Sequence, residues 1–383
     1  MAKSISAIMD IGSGKITVLI GAKGVNNSFI VYGKSSVPYG GFANGEFLEP
    51  EKLSNVIGKA IENVEIATRF SIKELTVSVP AEFCLCRNKK ISVTFQHNKK
   101  LNENIIDEIY ANAVEYIDNY TLITTEPIYN LLDDGRKLLN VVNQKTTKLT
   151  CLVSTIYVNN DFLKIMNNCL SALAIQKVNY VSSTFATTSY FLTPDKLEGS
   201  AVLIDVGYIT TELAIVRGGG LISLSSCSMG GGHVMTDLAE CLKLDYKDAE
   251  TLKRRIVLSL QTSPNDIYIV DSFQPNQTKT IFAKVANQIV FDRLDVLCSF
   301  IKKAIQEVSD DEYMPIYLTG AGISCIKGAK EYISSVLSQN IELLTPNLVE
   351  FNKPSDSSLI SLLDFSLKKL EKKHGGMLAK LKK

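Results

Sequence analysis

One eleven-residue pattern occurs twice in this chain. Asp10-Ile-Gly-Ser-Gly-Lys-Ile-Thr-Val-Leu-Ile20 is matched by Asp205-Val-Gly-Tyr-Ile-Thr-Thr-Glu-Leu-Ala-Ile215. Each copy sits in the same setting. In the first, residues 5–11 and 16–21 read as β-strands around a Gly-Ser-Gly turn, with a third strand at 29–33 after the turn at 23–28. In the second, strands at 201–206 and 212–216 flank the loop at 207–211, and a glycine turn at 218–220 leads to a strand at 221–227. A repeat of this length implies two copies of one domain rather than two unrelated ones. The first copy continues with apolar residues at helical spacing over 49–69 and a strand at 75–79. The second is followed by helical patterning over 282–307, a strand at 316–319 and a helix at 323–337. Alternation of this kind predicts mixed sheets covered by helices.

Between the copies, residues 83–165 form an insertion. It has a strand pair near 91–95, a helix at 103–117 and strands near 122–125 and 149–158, the pattern of a small α+β unit. A linking helix is expected over 181–191.

At 383 residues the chain can bury more than one core, and a 45% hydrophobic share fits a globular protein. Forty-one basic residues nearly balance forty acidic ones. No whole-molecule field therefore favours nucleic acid, and no nucleic-acid partner is expected. The balance breaks at one end: residues 368–383 hold seven lysines and one acid, Glu371. The eight cysteines and three histidines lack metal-ligand spacing, and no apolar run reaches the ~20 residues of a membrane span. Buried free thiols in a reducing cytoplasm are the expectation.

The Asp-x-Gly hairpin carries chemistry. Its backbone N–H groups can face phosphates, its glycines permit close approach, and its aspartate can hold water on Mg²⁺. Asp10, Gly12, Ser13, Gly14 and Lys15 form the first such loop, with Lys15 offering a point charge. Asp205, Gly207, Thr210 and Thr211 form the second. Asp10 and Asp205 are the expected Mg²⁺ positions, through water. Gly320, Ala321 and Gly322 follow a short strand and open a helix, so small residues stand where a nucleoside could approach the backbone. Gly231 and Gly232 precede a helix on which Glu250 and Lys253, at i and i+3, could grip a ribose and a purine edge. Taken singly, each of these features also has a plain structural reading: a hairpin turn, a strand-to-helix turn, an exposed ion pair.

Together and in this order, the elements resemble those of the actin/sugar-kinase/DnaK-type ATPases. Within that superfamily the chain resembles the FtsA family of bacterial cell-division proteins. The finer likeness rests on the position of the insertion, on Ala249-Glu-Thr-Leu-Lys253 and on Pro354–Phe365, which is similar to the family's last core helix. The resemblance implies an α/β, actin-like (ribonuclease H-like, duplicated), two-lobed ATPase fold with an inserted α+β subdomain. Its parts would be lobe I at 1–82 and 166–198, the insertion at 83–165, lobe II at 199–366 and a basic tail at 367–383. It further implies ATP and Mg²⁺ as ligands, self-assembly into an actin-like filament and binding of the C-terminal peptide of FtsZ. Attachment to an anionic membrane surface, on its cytoplasmic face at the division site, would run through Met377, Leu378, Lys380, Leu381 and Lys382.

Two departures from the family pattern matter. The second loop of the family reads Asp-x-Gly-Gly-Gly-Thr-Thr, and here Tyr208 and Ile209 replace its last two glycines, so slow or absent ATP turnover is expected. The tail lacks the aromatic residues of family tails. Two rival readings share the fold: a PilM-like pilus-assembly scaffold, and a small-molecule kinase.

Overall fold

In the computed structural model, residues 4–26, 28–193, 199–271, 278–308 and 313–381 are described. The first copy of the repeat folds as Ile5–Ile11 and Lys15–Lys23 in an antiparallel hairpin, continued by Phe29–Pro38. Glu74–Val79 adds parallel to Ile5–Ile11, and Lys177–Ser182 adds parallel to Glu74–Val79. The second copy repeats the scheme. Ser200–Val206 pairs antiparallel with Thr211–Arg217, which pairs with Gly220–Cys227. Ile316–Thr319 and Ile341–Leu343 then extend that sheet in parallel. Two five-stranded mixed sheets result, each carrying its Asp-x-Gly turn at the same point.

Residue alternation sorts the faces of each sheet. On one face of the first, Met9, Ile11, Val18 and Ile20 pack with Leu53, Ile57, Ile61 and Val64 of the helix Pro50–Thr68. On one face of the second, Val202, Ile204, Val206, Leu213 and Ile215 pack with Val290, Leu294, Leu297 and Ile301 of the helix Ala283–Gln306. The opposite faces share one core. Ile8 and Leu19 from the first sheet and Leu203 and Ala214 from the second meet Phe185 of the helix Ser183–Phe191, together with Leu359, Ile360 and Leu363 of the helix Ser357–Leu381. These two helices form the layer between the lobes.

The segment after Glu74–Val79 builds a separate four-stranded antiparallel sheet from Cys84–Lys100, Lys145–Asn159, Tyr120–Leu132 and Lys137–Leu138, in that order. Leu101, Ile106, Ile109 and Leu149 centre its own core. The expected strand pair near 91–95 is one 17-residue strand. Its partner is the 15-residue run Lys145–Asn159 rather than a near neighbour in sequence. The expected helix at 103–117 is Glu103–Ala111, capped by the Asn102 side chain accepting from the Ile105 N–H. The linking helix starts at Ser183, because 177–182 is drawn into the sheet and the Ser182 hydroxyl caps the first turn. The helix expected at 323–337 is Ala329–Leu337. Gly328, at φ +88°, holds a left-handed conformation that delays its start.

Among the described residues no helix is long and apolar enough to cross a membrane. The eight cysteines are free thiols. Cys151, Cys169 and Cys298 are buried, whereas Cys241 is exposed.

Candidate functional site

Each Asp-x-Gly turn is closed by the same backbone bond. The Gly12 N–H donates to the Lys15 carbonyl at 3.1 Å, and the Gly207 N–H donates to the Thr210 carbonyl at 2.8 Å. The two turns face each other across a cleft of about 600 Å³ between the lobes. Asp10, Gly12, Ser13, Gly14 and Lys15 line one side, and Asp205, Gly207 and Thr210 the other. Gly320 and Ala321 close one end. Gly320, at φ +96°, has no room for a side chain, because a methyl there would meet the Asp205 carboxylate. Ten of the sixteen residues expected around a nucleotide therefore meet on one cavity.

The other six stand behind it. Thr211 is fully buried, and its hydroxyl donates to the Met229 carbonyl at 2.6 Å. The Gly231 N–H donates to the Gly207 carbonyl, the Gly232 N–H to the Tyr208 carbonyl, and the Gly322 N–H to the Val206 carbonyl. These glycines let three backbone segments cross at close quarters, so their donors are spent on the second loop. Lys253 is buried; it donates to the Gly231 carbonyl at 3.1 Å and pairs with Glu250 at 2.6 Å. Glu250 also accepts from Arg254, whose side chain lines the cleft. The expected ribose clamp thus holds the glycine turn in place and presents Arg254 beside it.

The sequence reading missed several side chains. Asp10 accepts hydrogen bonds from Ser78 at 3.0 Å and from Ser358 at 2.8 Å. Tyr39 lines the cleft and donates to the Gly12 carbonyl at 2.9 Å. Glu212, the cross-strand neighbour of Asp205, accepts from the Ala81 N–H, the Ser183 hydroxyl and the Thr184 hydroxyl. None of these hydrogen bonds has a local signature, since the partners are 27 to 348 positions apart.

The carboxyls are electrostatically strained. Asp205 is pushed up to about 8, first by burial and then by the nearby charges of Glu212 and Asp10. Burial also raises Asp10, against the lowering effect of its two serine donors and of Lys15. Glu212 is raised by burial against its three donors. Two converging carboxyls held above their ordinary range are what a cation would relieve, so Asp10 and Asp205 fit a hard divalent ion bound through water. Among the described residues no cluster of three or more His, Cys, Asp or Glu side chains is arranged to hold a metal directly.

A duplicated mixed-sheet core with paired Asp-x-Gly turns on an interlobe cleft defines the actin-like ATPase fold. Solved structures agree. The chain aligns with a PilM-PilN type IV pilus biogenesis complex at a TM-score of 0.63 and 14% identity, covering 96% of this chain and 99% of that one. It aligns with MreB 5 of Spiroplasma citri bound to AMPPNP at 0.56 and 11%, covering 98% and 99%. At these identities the likeness establishes the fold alone. A narrower similarity comes from sequence. The model described as "Cell division protein FtsA" matches residues 202–361. A curated relative, the cell division protein FtsA of Staphylococcus epidermidis, is 21% identical over 366 residues, covering 94% of this chain and 78% of its own length. In sequence the chain is thus similar to FtsA cell division proteins over most of its length.

Proposed function

We propose that the chain binds an adenine nucleotide with Mg²⁺ in the interlobe cleft and serves cell division as an actin-like scaffold linking FtsZ filaments to the membrane. The observation that carries the nucleotide reading is the convergence of both Asp-x-Gly turns, Lys15 and the Gly320-Ala321 backbone on one cavity of suitable size. The Asp10 loop and Lys15 would receive the phosphates. Asp10 and Asp205 would orient water on the metal, which supplies charge neutralisation between the phosphate oxygens and the carboxyls. Gly320 and Ala321 would let the nucleoside lie close to the backbone. In support, one of the aligned solved structures has AMPPNP bound. Glu212 is fully engaged by three donors, and Tyr208 and Ile209 crowd the second loop, so turnover is expected to be slow or absent.

FtsZ tethering, filament formation and membrane attachment are proposed on the similarity to FtsA proteins. The tail residues proposed for the membrane belong partly to the Ser357–Leu381 helix, and Lys382 lies outside the described residues. A PilM-like scaffold role stays the rival reading of the same fold. Isothermal titration with Mg-ATP tests the site: Lys15→Ala should weaken binding at least tenfold, and an unchanged affinity would sink the assignment. Pull-down with the C-terminal peptide of FtsZ tests the partner. Retention on that peptide supports the cell-division reading, and its absence favours the pilus-type scaffold.

A further inference from the structure

The two phosphate loops touch each other directly. The Ser13 hydroxyl oxygen accepts from the Ile209 N–H at 2.9 Å and from the Thr210 N–H at 3.4 Å. These are the second-loop donors that such a turn would offer to a terminal phosphate. The Tyr208 ring spans the same gap. At one edge it packs on Gly14, so closely that a methyl group there would lie 2.8 Å from Cδ1. At the other it packs on Gly232, where a methyl group would lie 3.1 Å from Cζ. Ile209 reaches across as well, its Cδ1 falling 2.7 Å from where a side chain at Gly41 would begin. Backbone donors and an aromatic ring from lobe II are thus seated on the Ser13-Gly14 turn of lobe I, and an aliphatic branch lies against Gly41 beside it. Both lobe II side chains involved, Tyr208 and Ile209, stand where the family pattern has glycine.

Resting on the nucleotide reading above, we propose that Ser13, Tyr208 and Ile209 form an interlobe latch in the place of a terminal phosphate, making the cleft selective for a nucleoside diphosphate over a triphosphate. Two phosphates can lie along the Asp10 loop, beside Lys15 and under Gly320-Ala321, without disturbing the latch. A third must enter between the loops. There it displaces the Ser13 hydroxyl from two N–H groups and lifts the Tyr208 ring off Gly14, so that part of its binding energy is spent on opening. Tyr208 is 44% exposed at the cleft mouth, which leaves the ring free to swing. The latch also gives a physical reason for slow turnover: the donors that would stabilise charge on a transferred phosphoryl group already have a partner.

Titration of the full-length protein with Mg-ADP, Mg-ATP and Mg-AMPPNP tests the inference. The wild type should bind ADP at least tenfold more tightly than AMPPNP. The double variant Tyr208→Gly/Ile209→Gly should move that ratio at least tenfold toward the triphosphate. Ser13→Ala, which frees both N–H groups with little change in bulk, should move it in the same direction by a smaller factor, and it serves as the readout if the double variant does not fold. Equal or tighter binding of AMPPNP by the wild type, or a ratio unmoved by these substitutions, would overturn the latch and leave the nucleotide site standing. Failure of all three nucleotides to bind would overturn the latch and the site together.

Discussion

Asp10 and Asp205 occupy equivalent positions in the repeat, yet their surroundings divide them. Asp10 has Thr17 as its cross-strand neighbour and receives two serine hydroxyls. Asp205 faces Glu212, with Asp10 beyond it, and is pushed up to about 8. The consequence for stability has a definite sign. Between the ordinary carboxyl value of 3.8 and about 8, the unfolded chain has released the Asp205 proton while the folded chain keeps it. Folding then takes up a proton, so stability falls as pH rises through that window and levels off above it. Asp10 and Glu212, both raised by burial, contribute in the same direction. Thermal melts of the ligand-free protein should therefore give a lower Tm at pH 8 than at pH 5, and Asp205→Asn should flatten the slope without abolishing it. A Tm that climbs over this range would contradict the assignment. Bound Mg²⁺ should reverse part of the trend, since it favours the ionised carboxyls.

At the scale of elements, Glu212 joins what the repeat separates. It projects from Thr211–Arg217 of the second sheet and accepts from Ala81, just beyond Glu74–Val79 of the first, and from Ser183 and Thr184 at the start of the helix between the lobes. Removing an acceptor that three buried donors share leaves those donors unsatisfied, a loss of about 2–4 kcal/mol. Glu212→Ala should lower the urea midpoint accordingly. Glu212→Gln should cost less than about 1 kcal/mol, because the amide oxygen still accepts from the Ala81 N–H, the Ser183 and Thr184 hydroxyls can rotate to accept from the amide NH2, and the native carboxyl is already biased toward neutrality. Equal losses in the two variants would mean that volume, rather than acceptance, is what matters. The same contrast explains what could be read from the sequence. The Asp-x-Gly hairpins were legible because turn chemistry and strand alternation are local, and their repetition identified the fold. Glu212 was not, for it stands at the point of the second copy where the first has Thr17, and nothing near it in sequence signals Ala81 or Ser183. Ser358 meets Asp10 across 348 positions and was equally hidden. The errors at 91–95 and at 323–337 are of the same kind: a strand's length is set by its partner, and a helix start was moved by one left-handed glycine.

Across the whole molecule, one helix connects the cleft with the basic end of the chain. Pro354, Ser355 and Ser358 line the cleft, with Ser358 bound to Asp10, and the helix they introduce runs unbroken from Ser357 to Leu381. At 1.5 Å per residue this is a rod of about 37 Å. Its first three turns are fixed in the shared core by Leu359, Ile360, Leu363 and Leu367, and its Ser366 hydroxyl bonds to Ser6 and Thr76 of the first sheet. Glu371, paired with Lys23 at 3.2 Å, ties the helix to the body one turn further on. Beyond it lie five of the seven terminal lysines together with Met377, Leu378 and Leu381. Three apolar side chains of that size give only a few kcal/mol of insertion, and each lysine near an anionic surface adds about 1 kcal/mol. A single tail should therefore bind weakly, and an assembly presenting many tails should bind far more strongly by avidity. The division between core and tail fixes where to cut. Ending the chain after Glu371 keeps Leu367 and the Lys23 pair, so the melting temperature should change by no more than a few degrees. Co-sedimentation with vesicles containing phosphatidylglycerol should nevertheless be lost, and raising salt should mimic the truncation in the intact protein. If the truncated protein still sediments with the vesicles, the attachment surface lies on the folded body and the lysine-rich end has no part in it.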